Sequence, residues 1–476
     1  MHDRDSLLAE LRNALGAERV QSGEVSTSLF GRDASLLRGE DPVAVCFPLS
    51  AAEVQACVRA CVRADVAFVA RGSGTGLAGG AIPVGETVVI VTTLMQRIIS
   101  IDAERRVAWV DPGVVNLDLT RSLRNEGLHF APDPSSQQAC SIGGNVATNS
   151  GGPHCLAYGV TSAHVLAVEV VLPDGELVTL GGLDPEPPGF DLRGAFVGSE
   201  GTLGIATAVA VRLTPDPPAV ATMLVDFGAV DDAAACVSGI IARGVVPAAV
   251  EMMDARITRA VEDYVHAGFP TDAEAVLLVE VDGLPDGVGL ETAVVEEVAL
   301  ACGARSVRVA ADDTERALWW KGRKNAFGAV ARVAPNYYLH DTVVPRTRLV
   351  EVLREVYAIA DRHDLLVMNV FHAGDGNLHP LLVFDAREPG VMDRVHAAGD
   401  EIVEASLAAG GVLSGEHGIG LEKLQFMGRL YGPDDLDAQA RLREAFDPDG
   451  RANPGKVLPA GSRCGEIGAV PDGVWI

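Results

Sequence analysis

The chain has 476 residues, 48% of them hydrophobic, and sets 65 acidic residues against 38 basic ones for a formal net charge of −27. That length holds about two domains with ample apolar material for their cores. The acidic balance excludes nucleic acid and anionic membrane surfaces as partners, since both repel a strongly negative protein. The start, Met-His-Asp-Arg-Asp-Ser-Leu-Leu-Ala-Glu, lacks the basic opening and apolar run of a signal peptide. No uninterrupted apolar stretch reaches membrane-spanning length, so the expected location is the cytoplasm, without direct membrane insertion. The eight cysteines (Cys46, Cys57, Cys61, Cys140, Cys155, Cys236, Cys302 and Cys464) contain no Cys-x-x-Cys. The chain therefore carries no iron–sulfur ligand set.

Residues 1–37 read as an N-terminal helical segment, with Leu7, Leu8, Leu11 and Leu15 on one helix face. Ser50-Ala-Ala-Glu53 is a capping box opening a helix to about Ala64, and a strand over Val66–Ala70 follows. It delivers the chain into Arg71-Gly-Ser-Gly-Thr-Gly-Leu-Ala-Gly-Gly-Ala-Ile-Pro83, five glycines in thirteen residues. Such a backbone takes φ > 0 and approaches a ligand closely, and its converging N–H groups suit an anion, to which Arg71 adds charge. A pyrophosphate is the natural guest. Gly74-x-Gly76-x-x-Gly79 also matches the dinucleotide fingerprint, but that motif must open a helix. Gly79-Gly80 and Pro83 oppose one, and Thr87-Val-Val-Ile-Val reads as a strand. A strand–phosphate loop–strand is therefore expected.

Strands are predicted at 87–92, 98–101 and 106–110, and a helix over 116–125 ending at Gly127. Two further small-residue stretches follow: Pro132-Asp-Pro-Ser-Ser with Cys140-Ser-Ile-Gly-Gly-Asn-Val-Ala-Thr-Asn-Ser-Gly-Gly-Pro153, and Val197-Gly-Ser-Glu-Gly-Thr-Leu-Gly-Ile205. Density of this kind suits a cavity wall against a flat ring, with a strand at 165–172 between them. Thr214-Pro-Asp-Pro-Pro218 marks a boundary, giving a cofactor domain over 38–217 and a cap over 218–440. In the cap, strands at 221–227, 246–252, 275–282, 305–309, 337–344, 365–371 and 379–384 alternate with helices. Those helices fall at 232–243, 255–265, 290–302, 314–332, 347–362 and 390–409, an α+β arrangement. Residues 441–476 read as a turn-rich tail.

The chemistry-bearing stretches lie in the cap. His372-Ala-Gly-Asp-Gly-Asn377-Leu-His379 places two imidazoles around a Gly-Asp-Gly turn, and Ser414-Gly-Glu416-His417-Gly adds a carboxylate and a third imidazole. Two His and a carboxylate suit a catalytic divalent metal with an open position. Because Glu416 and His417 are neighbours, one can ligate while the other serves as a base. Arg323 stands between Trp319 at i−4 and Phe327 at i+4, on an apolar helix face where a guanidinium wants an anionic partner.

The glycine loops resemble the vanillyl-alcohol-oxidase-type (PCMH-type) FAD flavoproteins over roughly residues 40–215. The His and Glu motifs resemble the C-terminal domain of FAD-linked 2-hydroxy-acid dehydrogenases and oxidases, the glycolate and D-lactate enzymes among them. The resemblance implies a PCMH-type FAD domain, an α+β cap with a ferredoxin-like sheet and helices, and a C-terminal tail returning to the FAD domain. It implies FAD held by Arg71, Gly72, Ser73, Gly74, Thr75 and Gly76 of the first loop. Pro132, Ser141, Gly144, Asn145 and Gly151 would join from the second. Gly198, Gly201, Gly204 and Ile205 come from the third, and Asn453 from the tail. Thr75 stands where some members carry an attaching His, which implies non-covalent FAD.

It further makes His372, His379 and Glu416 ligands to zinc, manganese or iron, His417 the general base, and Arg323 the substrate-carboxylate arginine. The implied reaction is oxidation of a small 2-hydroxy acid to the 2-oxo acid by hydride transfer to flavin. The ending, Asn453-Pro-Gly-Lys456 with Arg463-Cys464-Gly-Glu466, is most similar to the FAD-linked subunit of glycolate oxidase. That implies iron–sulfur and second flavin subunits as partners, through which the protein would meet the inner membrane. Tyr338-Leu-His340-Asp departs from the D-2-hydroxyglutarate enzymes, which carry a lysine there, so a second substrate carboxylate is poorly provided for. A stand-alone D-2-hydroxy-acid dehydrogenase is the alternative. So is a non-catalytic flavin electron-transfer subunit, against which the complete His and Glu set argues.

Overall fold

The computed structural model describes residues 4–184 and 188–459. The Arg463–Glu466 ending lies outside them. The chain forms two units. The first comprises residues up to Gly151, Gly159–Asp216, and the chain from Glu416 onward, and the second comprises Gly152–Tyr158 and Pro217–Gly415.

In the first unit, helix α1 (Arg4–Leu15) buries Leu7, Leu8, Leu11 and Leu15. Burial of such side chains contributes about 1.5–3 kcal/mol each. Strand β1 (Ala44–Cys46) leads to α2 (Ala51–Ala64), where the Ser50 side chain accepts from the Glu53 N–H. β2 (Ala67–Arg71) and β3 (Thr87–Val91) follow. β1, β3 and β2 are parallel neighbours, with Arg71 opposite Val91. Parallel strands need a crossover. Here the glycine-rich loop itself makes it, without a helix.

A second, antiparallel sheet contains β4 (Ile98–Asp102), β5 (Val107–Val110), β6 (Val165–Val171), β7 (Leu177–Gly181) and β8 (Ile205–Arg212) in the order β4-β5-β8-β6-β7. Helix α3 (Ile142–Thr148) packs Ile142 and Val146 into its core. The tail returns to this unit beside β2: the Phe68 N–H donates to Arg451 O, and the Asn453 N–H to Phe68 O.

The second unit is built on β9 (Ala219–Phe227), α4 (Val230–Ala242), β10 (Ala249–Asp254), α5 (Ala255–Val265), β11 (Ala275–Gly283), α6 (Pro285–Ala301) and β12 (Ala304–Val309). The strands lie in the antiparallel order β12-β9-β11-β10. Numbered within the unit this is 4-1-3-2, the ferredoxin-like order. Helix α7 (Asp313–Lys324), β13 (Asn336–Leu339) and α8 (Leu349–Arg362) come next, then β14 (Leu366–His372), β15 (Asn377–Leu378), β16 (Pro380–Phe384) and α9 (Val391–Ala408). β14 extends the sheet beyond β10 and folds back on itself through β15 and β16.

Several predicted elements differ in extent. The helix expected over 314–332 breaks at Asn325, whose Nδ2 donates to Lys321 O 2.8 Å away and caps α7. Phe327 therefore does not share a continuous helix face with Arg323. The strand expected over 337–344 is interrupted at His340-Asp341, and the one expected over 379–384 begins one residue later, at Pro380. A helix over Pro433–Phe446, α10, was not predicted; it buries only Leu436 and so shows no apolar period.

The division of the chain departs from boundaries at 37, 217 and 440 in three places. The segment before residue 38 belongs to the first unit, with no boundary there. Residues 152–158 join the second unit, where His154 Nε2 lies 3.2 Å from Glu280 Oε1 and the Tyr158 hydroxyl donates to Asp282. Residues from Glu416 onward join the first.

Candidate active site

Within the first unit the small-residue loops and the tail interlock. Arg71 folds back beneath its own loop: a Cβ at Gly74, which has φ +71°, would lie 2.2 Å from Arg71 Nη2. Its guanidinium sits 5.4 Å from the Phe30 ring centroid and donates to Ala81 O. Burial lowers the Arg71 pKa, opposed by nearby Asp33. Gly72 packs on the second loop, where a Cβ would meet Ser141 Oγ at 2.4 Å. Ser141 accepts from the Gly144 N–H, capping α3. Asn145 is occupied internally, accepting from Asn116 Nδ2 at 3.0 Å; that amide also donates to Pro132 O. Gly76 O accepts from the Ala34 N–H, and Ile205 opens β8, buried.

Ser73, Thr75 and Gly151 lie in the first and second loops, and Gly198, Gly201 and Gly204 in the third, all three at positive φ. Asn453 ties the loops together, its Nδ2 donating to Gly80 O at 2.8 Å and Glu200 O at 2.6 Å. Lys456 Nζ donates to Ile82 O, and burial drops its pKa to about 7. Two polar atoms in the third loop, Ser199 Oγ and Glu200 Oε2, are buried without a hydrogen-bond partner among the described residues. A bound polar cofactor along these loops fits that vacancy of partners.

The Glu416–His417 segment belongs to this unit and is anchored on the same loops. Glu200 Oε1 accepts from the Ile419 N–H at 2.7 Å and the Gly420 N–H at 3.1 Å, while Ala78 O accepts from Leu421 and Glu422. The approach at Gly420 is so close that a Cβ would lie 2.0 Å from Ala78 O, so only glycine fits. Glu416 and His417 are partly buried, 3.8 Å apart at Oε1 and Nε2.

In the second unit, the β14–β15 hairpin turns through residues 373–376, with His372 directly opposite Asn377. Alternation along each strand then puts His372, Asn377 and His379 on one face, since His379 stands two residues beyond the partner of His372. Both imidazoles are buried, with centroids 5.1 Å apart and rings nearly perpendicular. A ring nitrogen of each lies within 4.8 Å of the other. His372 Nδ1 is 2.8 Å from Glu251 Oε1, and His379 Nδ1 is 3.3 Å from His340 O. Each Nδ1 faces an acceptor, so both rings donate from Nδ1, and in the neutral imidazole that leaves the lone pair on Nε2. That is the tautomer a metal-binding pair requires. Asp341 lies beside them, accepting from Ser414 Oγ and from the Gly415 N–H at 3.1 Å. Gly415 is the residue before Glu416 in the chain.

Arg323 and Glu251 are each about 1% exposed. Arg323 Nε donates to Glu251 Oε2 at 2.7 Å, and Nη2 makes an ion-pair contact with the same oxygen at 2.6 Å. Arg323 Nη1 has no hydrogen-bond partner among the described residues. Burial raises the Glu251 pKa, but Arg323 and His372 outweigh it and hold the carboxyl below its ordinary range. Removing one member of a buried pair typically costs about 3–5 kcal/mol, so these groups depend on one another. Glu251 and Asp341 escaped the sequence reading. A signal existed for the first: Glu251 stands inside Ala249–Asp254, an otherwise apolar and fully buried strand apart from its final aspartate. A charge there demands partners.

Residues 42–181 match the family described as FAD binding domain, and residues 216–457 the family of FAD linked oxidases, C-terminal domain. The chain is 44% identical over 468 residues to "Glycolate oxidase subunit GlcD" of Escherichia coli (strain K12), covering 98% of this chain and 94% of that protein. It is 37% identical over 455 residues to the protein of the same name in Bacillus subtilis (strain 168), covering 95% and 97%. It is 32% identical over 461 residues to "D-lactate dehydrogenase" of Anaerostipes hadrus, covering 93% and 95%. Among solved structures, p-cresol methylhydroxylase superposes with a TM-score of 0.81 at 17% identity, covering 95% of this chain and 96% of that one. The 4-ethylphenol oxidase of Gulosibacter chungangensis gives 0.81 at 19%, covering 96% and 97%. These two likenesses show the PCMH-type fold.

Proposed function

The chain belongs to the FAD-linked oxidases, and from that premise we propose that it oxidises a small 2-hydroxy acid, glycolate or D-lactate, to the 2-oxo acid. FAD binds to the domain matched by residues 42–181. We assign Arg71–Gly76, Pro132, Ser141, Gly144, Asn145, Gly151, Gly198, Gly201, Gly204, Ile205 and Asn453 to holding it. Bound there, it would supply the acceptor for the hydride that leaves the substrate's α-carbon. We assign His372, His379 and Glu416 to holding a divalent metal, which would supply a Lewis acid for the substrate's α-hydroxyl. Arg323 holds the substrate carboxylate through Nη1, fixing which hydrogen leaves. His417 receives the hydroxyl proton on its ring nitrogen, a task suited to a group of near-neutral pKa.

The observation that carries this reading is the pair of buried imidazoles, His372 and His379, sharing a face with both Nδ1 atoms committed to acceptors. A subunit that only relayed electrons would have no use for it. Dye-coupled turnover against a panel of 2-hydroxy acids tests the assignment. Glycolate or D-lactate should reduce the flavin, with larger or doubly charged acids slower. If no member of the panel reduces it, the proposal fails. The relative named D-lactate dehydrogenase favours a second reading, a dehydrogenase acting alone, for which D-lactate would exceed glycolate by more than about tenfold in kcat/KM.

Electrons leave, on the first reading, to iron–sulfur and second flavin subunits. The absence of Cys-x-x-Cys and the "subunit" in the names of two relatives support this. No helix among the described residues is long and apolar enough to cross a membrane. The flavin attachment is testable separately. With Thr75 in the first loop, acid precipitation of purified protein should leave intact FAD in the supernatant. Flavin retained in the pellet would show a covalent link.

A further inference from the structure

We propose that Glu251 is a positioning residue of this site, one carboxylate that sets both the tautomer of His372 and the donor geometry of Arg323. The first half rests on the reading of His372 as a metal ligand. Glu251 faces His372 directly across the β10–β14 pair, together with Met252↔Phe371 and Met253↔Val370. A slip of one residue would turn the carboxylate to the other face of the sheet, so the register of the whole strand pair maintains the contact.

The two oxygens divide the work. Oε1 takes His372 Nδ1 at 2.8 Å, and Oε2 takes Arg323 Nε at 2.7 Å. With Oε1 facing Nδ1 as its acceptor, the neutral imidazole carries its proton on Nδ1 and its lone pair on Nε2. On the other side Glu251 occupies the Nε edge of the guanidinium, the edge that would otherwise form a two-point fork with a substrate carboxylate. Arg323 is thereby left to meet an anion through Nη1. Glu251 thus acts through the two residues without touching the substrate.

The test uses full-length FAD-loaded protein. In metal-stripped wild type, a 15N–1H imidazole correlation spectrum should show His372 as the Nδ1–H tautomer. The Nε2–H form would overturn the proposal, with no variant needed. Zn2+ alone is then titrated against a chromogenic chelator. Glu251→Leu should weaken Zn2+ binding by about 10–100-fold, as loss of a ligand's hydrogen-bond partner does, and give mixed tautomers at His372. Glu251→Gln, whose carbonyl can still accept from Nδ1, should keep the tautomer, lose less affinity, and raise KM for the hydroxy acid more than it lowers kcat. Zn2+ affinity within twofold of wild type in a folded Glu251→Leu protein overturns the assignment. His379→Ala separates the underlying reading: if wild type and this variant bind Zn2+ equally poorly, the metal assignment is wrong. The wild-type tautomer then still decides whether Glu251 sets His372.

Discussion

Replacing His417 with asparagine lowers the rate of flavin reduction by about 10²–10⁴-fold, the usual contribution of a general base, while bound FAD and bound metal stay near wild-type amounts. The side chain is partly buried, and the residues that follow it are anchored by backbone donation to Glu200 and Ala78. The substitution should therefore remove a proton acceptor without moving its neighbours. Stopped-flow reduction by glycolate or D-lactate, beside elemental analysis, makes the measurement. The companion Glu416→Gln should lose metal. If instead His417→Asn loses its metal and Glu416→Gln retains it, ligand and base are interchanged. If neither slows reduction, the active site lies elsewhere.

On the proposed assignment His379→Ala removes a metal ligand outright, so metal affinity should fall by more than the 10–100-fold that losing a supporting partner costs, and turnover with it. FAD content should not change, since His379 belongs to the cap's hairpin and the loops we assign to FAD belong to the other unit. Chelation of wild type should reproduce the loss, and added divalent metal should reverse it in the chelated protein but not in the variant. A His379→Ala protein with full metal content would remove this residue from the ligand set. His379 is almost fully buried, so its thermal transition is measured alongside to separate ligand loss from unfolding.

Much of this was legible in the chain because the relevant signals are local. Glycines at Gly72, Gly74, Gly76, Gly79 and Gly80 with Pro83 forbid a helix within a few residues of Arg71, so the strand–loop–strand followed without any knowledge of packing. The Ser50–Glu53 box started its helix where expected. Spacing alone brought His372 and His379 together, since a four-residue turn and a two-residue period leave them on one face. Helix α10 and the break at Asn325 were missed for an equally local reason: a polar helix has no apolar period, and a capping amide competes with a helix only where its rotamer allows.

What the chain could not disclose is which distant segments share space. Strand order 4-1-3-2, the transfer of residues 152–158 to the second unit, and the anchoring of Glu416–His417 on Glu200 and Ala78 all depend on contacts between segments far apart in sequence. Loop-closure entropy leaves many such pairings open, and burial of the whole core selects among them. Arg323 shows the difference most plainly. Composition and helix spacing announce a buried guanidinium in want of an anion. That Glu251, 72 residues earlier, supplies it, and joins it to His372, is decided by the register of one strand pair and the seat of one helix.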